Sequence, residues 1–109
     1  MQEHFQRARR DILQEVIRDL NDKNLLILQS ALQESPGYVK SIYQRYRQLS
    51  RQAGEEPFSY VYFYSNLSYL QSLGLILLVS TKVNRAYTNR VQPLFDPQML
   101  QAVWKARLG

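Results

Sequence analysis

Apolar residues recur along this chain at helical spacing, then switch to a run of β-formers, then return to helical spacing. Phe5, Ala8, Ile12, Val16 and Leu20 lie on one stripe, which Leu13 and Ile17 widen. This predicts an amphipathic helix over residues 3–20, with Arg7, Arg9, Arg10 and Arg18 largely off the stripe. Asn21 or Asp22 caps a second helix, about 22–34. Its cluster Leu25-Leu26-Ile27-Leu28, with Leu32, is dense enough for a central core helix. Ser35-Pro36-Gly37 is turn chemistry. A third helix over 38–53 turns Val39, Ile42, Tyr43, Tyr46 and Leu49 inward.

The next stretch organises the rest. Pro57 and Ser59 open a helix over 59–73, with Ser59 as N-cap. Phe63, Leu67, Leu70 and Leu73 share its inner face, and Gly74 ends it as the residue that takes positive φ. Leu75 to Val83 follows as a strand whose first half is expected to be buried on both sides. Asn84-Arg85-Ala86-Tyr87 is read as the turn. Thr88 to Phe95 returns as an edge strand that tolerates Pro93. Asp96-Pro97 caps a last helix, about 97–108, with Leu100, Val103, Trp104 and Leu108 on one side. The order is α-α-α-α-β-β-α. It describes a mainly α fold with a β-hairpin wing, a winged helix-turn-helix. Residues 59–73 are the recognition helix and 80–92 the wing. Residues 1–20 are read as a linker helix and 21–109 as the winged-helix domain.

At 109 residues the chain suits one core without staples. It has no cysteine, which excludes disulfides and thiolate chemistry. No apolar run is long enough for a membrane span. Met1 to Asp11 is charged and unlike a signal peptide. A cytoplasmic, nucleoid-associated location is expected. No phosphate-cradling glycine motif occurs. His4 stands alone in a charged stretch, and Glu55-Glu56 reads as solvated charge before a proline. No metal-ligand spacing is present. The expectation is therefore no enzyme, no cofactor and no metal in this chain.

The net charge of +5 suggests an acidic partner. Lys40, Arg47 and Arg51 share one face of helix 38–53, with Arg45 apart. Lys82, Arg85 and Arg90 lie on the hairpin. Such charges hold phosphates without regard to sequence. On the recognition helix, Val61, Ser65, Ser68 and Ser72 oppose the apolar stripe, flanked by Tyr60, Tyr62, Tyr64 and Tyr69. Small hydroxyl residues allow close approach to a groove, and tyrosines bond phosphates or press on thymine methyls. No Arg, Lys or Gln precedes Gln71 there. The expected contacts to double-stranded DNA are Lys40, Arg47, Arg51, Ser59, Tyr60, Tyr62, Tyr64, Ser65, Ser68, Lys82, Asn84, Arg85, Tyr87, Asn89 and Arg90. Two other readings stay open. One is a stand-alone transcription regulator dimerising through the helices at 3–20 and 97–108. The other is a winged helix that meets a protein through its tyrosines, since tyrosine is enriched at interfaces.

Several segments resemble one family. These are Val16-Ile-Arg-Asp-Leu20, Leu25-Leu-Ile-Leu28, Val39-Lys-Ser-Ile-Tyr-Gln-Arg-Tyr46, Glu56-Pro-Phe-Ser59 and Leu67-Ser-Tyr-Leu-Gln-Ser-Leu-Gly-Leu-Ile76. In order and spacing, over residues 12–108, they are similar to the C-terminal winged-helix domain of archaeal origin-recognition initiators. These are AAA+ ATPases related to the eukaryotic origin-recognition and licensing proteins. The resemblance implies docking on origin duplex in DNA replication initiation. The recognition helix would enter the major groove, and the wing would lie on the backbone or minor groove. It implies that ATP and Mg belong to an ATPase module absent from this chain, a monomeric C-terminal fragment. It also implies other replication proteins as partners. Two places depart from the family pattern. Val61 and Tyr62 stand where members often carry basic residues. The tip Asn84-Arg85-Ala86-Tyr87 replaces a Gly/Arg-rich one.

Overall fold

A computed structural model describes residues 2–108, with side chains from Arg10 onward. The predicted positions His4, Phe5, Arg7, Ala8 and Arg9 lie outside the described side chains. The elements are α1 (Gln2–Asp19), α2 (Asp22–Gln33), α3 (Val39–Gln52), α4 (Tyr60–Ser72), β1 (Ile76–Val83), β2 (Ala86–Pro93) and α5 (Pro97–Arg107). Their order is the predicted one, and the fold is a winged helix.

α2 runs through the centre because Leu25, Leu26, Ile27 and Leu28 occupy every side of one turn and all are buried. Each such side chain contributes roughly 1.5–3 kcal/mol on leaving water. Asn21 is the cap: its Oδ1 accepts from Asn24 N–H at 2.8 Å. The buried Ser30 hydroxyl donates to Leu26 O at 2.7 Å, so it adds no unpaired group to this core. α3 brings Val39, Ile42 and Tyr46 onto α2, and α4 brings Phe63, Leu67 and Leu70. α5 starts as predicted, with Asp96 Oδ1 accepting from Gln98 N–H at 2.9 Å, and packs on α1 and α2.

α1 is rotated relative to its predicted stripe. Leu13, Ile17 and Leu20 are the buried line, Val16 is partly buried, and Ile12 is 63% exposed. The repeats starting at Ile12 and Leu13 differ by one residue, and packing on α5 selects the second. The hairpin departs further from expectation. β1 and β2 pair antiparallel from Ile76↔Pro93 to Val83↔Ala86. The turn is therefore only Asn84-Arg85, and both residues take positive φ (50° and 69°). That is the type I′ geometry whose twist matches paired strands. β2 begins at Ala86 rather than Thr88, and Phe95 is buried beyond its end. β1 is not buried on both sides: Leu77 is 43% exposed, because a two-stranded ribbon has a single covered face.

The outer edge of β2 takes one further pairing. Tyr38 bridges Arg90, and Val91 N–H donates to Gly37 O at 2.9 Å. Gly37 lies at φ 82°, where a Cβ would stand 3.0 Å from Val91 O, so the approach needs glycine. This seam joins the wing base to the start of α3.

Candidate nucleic-acid interface

α4 owes its exact limits to its two caps. Ser59 Oγ accepts from Tyr62 N–H at 3.3 Å. At the other end Gly74 sits at φ 81°; its N–H donates to Gln71 O at 2.9 Å, and Leu75 N–H donates to Leu70 O at 3.2 Å. This paired closure is the Schellman motif, and it turns the chain directly into β1.

The start of α4 is set in rings. The Tyr43 hydroxyl donates to Phe58 O at 2.9 Å, and the Tyr46 hydroxyl accepts from Phe58 N–H at 3.0 Å. Both backbone groups of Phe58 are thus held by α3. Tyr60 meets Tyr43 edge-on at 5.2 Å, and Tyr62 meets Phe58 edge-on at 4.7 Å. Burial pushes the Tyr46 phenol above its ordinary value. Lys23 Nζ lies 4.9 Å from the Phe58 ring centroid. The sequence pattern does not place that cation at the helix start, since nothing local links positions 23 and 58.

The wing is tied to α4 at two points. Asn89 Nδ2 donates to the Tyr64 hydroxyl. Gln71 Oε1 accepts from Leu78 N–H at 2.7 Å. Tyr64 and Asn89, both expected at DNA, therefore meet each other, and Tyr64 is only partly exposed. On the outer face Val61, Tyr62, Ser65, Ser68 and Tyr69 are exposed, as predicted.

The arginines fall into two groups. Among the described residues, ion pairs join Arg10 to Asp96, Arg18 to Glu15, Arg45 to Glu34 and Arg107 to Asp22. None involves Lys40, Arg47, Arg51, Lys82, Arg85 or Arg90. Arg47 and Arg51 line a cleft with Tyr43, Glu55, Glu56, Pro57, Phe58 and the Ser59 cap, and Arg47 lies 5.8 Å over the Tyr43 ring. Lys40 is exposed on the same helix, outside that cleft. Lys82 pairs across the hairpin with Tyr87, its Nζ 5.9 Å from the ring. Arg85 occupies the tip beside Asn84, both exposed. Arg90 sits instead at the wing base, half-buried near Glu34, Ser35 and Pro36. The predicted cations thus occur at three places: the α3 cleft, the wing tip and the wing base.

Among the described residues no group of three or more His, Asp or Glu side chains could hold a metal ion. No described helix is long and apolar enough to cross a membrane.

A helix-turn-helix whose second helix runs through a glycine stop into a basic hairpin defines the winged-helix class. Among solved structures, the chain is similar to Aeropyrum pernix ORC1, which was solved in complex with DNA. The TM-score is 0.82 at 25% identity, over 96% of this chain. This fits the sequence resemblance to the winged-helix domain of an archaeal initiator. The chain spans 30% of the length of that ORC1 chain. No protein-family model matches the sequence, and no curated protein matches it.

Proposed function

We propose that this winged helix binds double-stranded DNA and serves as the DNA-docking domain of an origin-recognition initiator. α4 enters the major groove, and the hairpin follows the backbone or the adjacent minor groove. The observation that supports this reading most is the similarity, over nearly the whole chain, to ORC1 solved with DNA. The division of the arginines agrees with it. Arg10, Arg18, Arg45 and Arg107 form ion pairs, whereas among the described residues the cations of the α3 cleft and wing form none. Cations held in no ion pair can meet phosphates. In this reading ATP and magnesium belong to another part of the initiator, and other replication proteins meet the assembled protein.

The test is duplex binding by fluorescence anisotropy across a salt series, for the native chain and for Arg51→Glu with Lys82→Glu. Each phosphate contact contributes about 0.9 to the log–log slope. The double variant is expected to flatten the slope by roughly 1.8. Unchanged affinity and slope in the double variant would refute the proposed docking face.

A further inference from the structure

α4 carries no charged side chain from Tyr60 to Ser72, and the serine and asparagine donors on its outer face are turned to its own backbone. Ser65 Oγ donates to Val61 O at 3.2 Å and Ser72 Oγ to Tyr69 O at 2.6 Å. Ser68 Oγ lies 3.5 Å from Tyr64 O. A hydroxyl has one proton, so these serines present mainly lone pairs outward. Asn66, at the edge of the face, directs one of its two amide N–H groups to Tyr62 O at 2.9 Å. Gln71 has its acceptor oxygen taken by Leu78 N–H of the wing, which removes it as a bidentate reader of adenine. What remains outward is Val61, 76% exposed, with the rings of Tyr62 and Tyr69, 58% and 49% exposed, whose single hydroxyls are its other polar groups. Val61 shares a line with Ser65, Ser68 and Ser72, whose small side chains permit close approach.

Such a surface has no donor pair for guanine O6 and N7. Its chemistry matches the one apolar group in the major groove, the thymine 5-methyl. The occupant is argued from charge. Arg51 at the end of α3 and Lys82 on the wing form no ion pair among the described residues, and a duplex brings phosphates to both sides of the helix while its groove meets the outer face.

We infer that α4 reads thymine 5-methyl groups, with Val61 as the central contact, so that the domain favours thymine-rich duplex. This rests on the DNA-binding reading above and adds to it the group that is read.

The experiment compares the alternating polymers poly(dA-dT) and poly(dA-dU), which differ only in the 5-methyl, at one salt concentration. A buried methyl is worth about fourfold in affinity. The native chain is expected to bind the uracil polymer at least about fourfold more weakly. Val61→Ala is expected to narrow this difference, weakening binding to the thymine polymer more than to the uracil polymer. Equal native binding to both polymers, with steep salt dependence, would overturn methyl reading and leave DNA binding intact. Persistence of the full discrimination in Val61→Ala would overturn the role of Val61. Absence of binding to either polymer at low salt would remove the DNA reading and this inference together.

Discussion

Arg85 stands at φ 69° in the wing turn, exposed and outside every described ion pair. A left-handed conformation costs a non-glycine residue about 1–2 kcal/mol. Type I′ turns favour Asn-Gly at these two positions, and Asn84 already supplies the first. Arg85→Gly removes the penalty. It also adds about 0.5–1 kcal/mol of freedom to the unfolded chain, which offsets part of the gain. The net expectation is a stabilisation of about 0.5–1 kcal/mol, or a rise in Tm of a few degrees at this size. If Arg85 holds a phosphate, the same substitution lowers the salt slope of duplex binding by about 0.9. Stability and affinity should thus move in opposite directions. Arg85→Ala separates the two effects: it loses the same charge but keeps a Cβ at positive φ, so its slope falls without the gain in Tm. Thermal unfolding and salt-dependent anisotropy on the three proteins decide the matter. A lower Tm for Arg85→Gly would mean that the tip arginine stabilises the turn, and the strain argument would be wrong. An unchanged slope would mean that the tip does not reach phosphate.

Three other outcomes follow from the geometry. Gly37→Ala places a Cβ 3.0 Å from Val91 O at φ 82° and should cost about 1–3 kcal/mol in chemical unfolding; a cost near zero would show that the seam opens freely. Asn89→Ala removes the bond to Tyr64 and should cost about 1 kcal/mol, with faster amide exchange in β2 but not in α2; uniform exchange would argue against a local tie. Tyr46 sets an alkaline limit. Well below pH 10 its phenol is protonated in both states, so its contribution is constant. Above 10 the unfolded chain ionises first, and stability falls with pH by up to about 1.4 kcal/mol per unit. Tyr46→Phe should be less stable at neutral pH, having lost the bond from Phe58 N–H, yet should show a shallower alkaline decline; parallel pH profiles would sink this account.

Where structure depends on neighbours in sequence, the chain could be read directly. Asn21, Ser59 and Asp96 are each a short polar side chain before an apolar run, and each caps its helix. Gly74 is a stop because only its own conformation is required. The hairpin is legible as a hairpin, but its turn lacks the usual glycine, so nothing local marks Ala86-Tyr87 as the strand it forms. The face of α1 was ambiguous for a different reason: two overlapping repeats fit, and the choice lies with α5. The candidate site shows the same division. Exposure of Val61, Ser65, Ser68 and Tyr69 follows from helical period alone. The Tyr64–Asn89 tie spans 25 residues and leaves no local mark, which is why both appeared as separate contacts.

The Arg107 side chain has a consequence for the order in which the molecule can be completed. It donates to the carbonyls of Arg18 and Leu20 and lies 2.6 Å from the Asp22 carboxylate. It therefore closes the C-terminal end of α1 and the joint into α2, bridging 85 to 89 positions of chain. Arg10 reaches Asp96 across a similar span. During synthesis α1 is made well before the residues that fix its direction. Its apolar line, Leu13, Ile17 and Leu20, must wait while α2, α3, α4 and the hairpin are made. Polar closure of the α1–α2 joint therefore waits for the last turn of α5, after the apolar residues of that helix have been made.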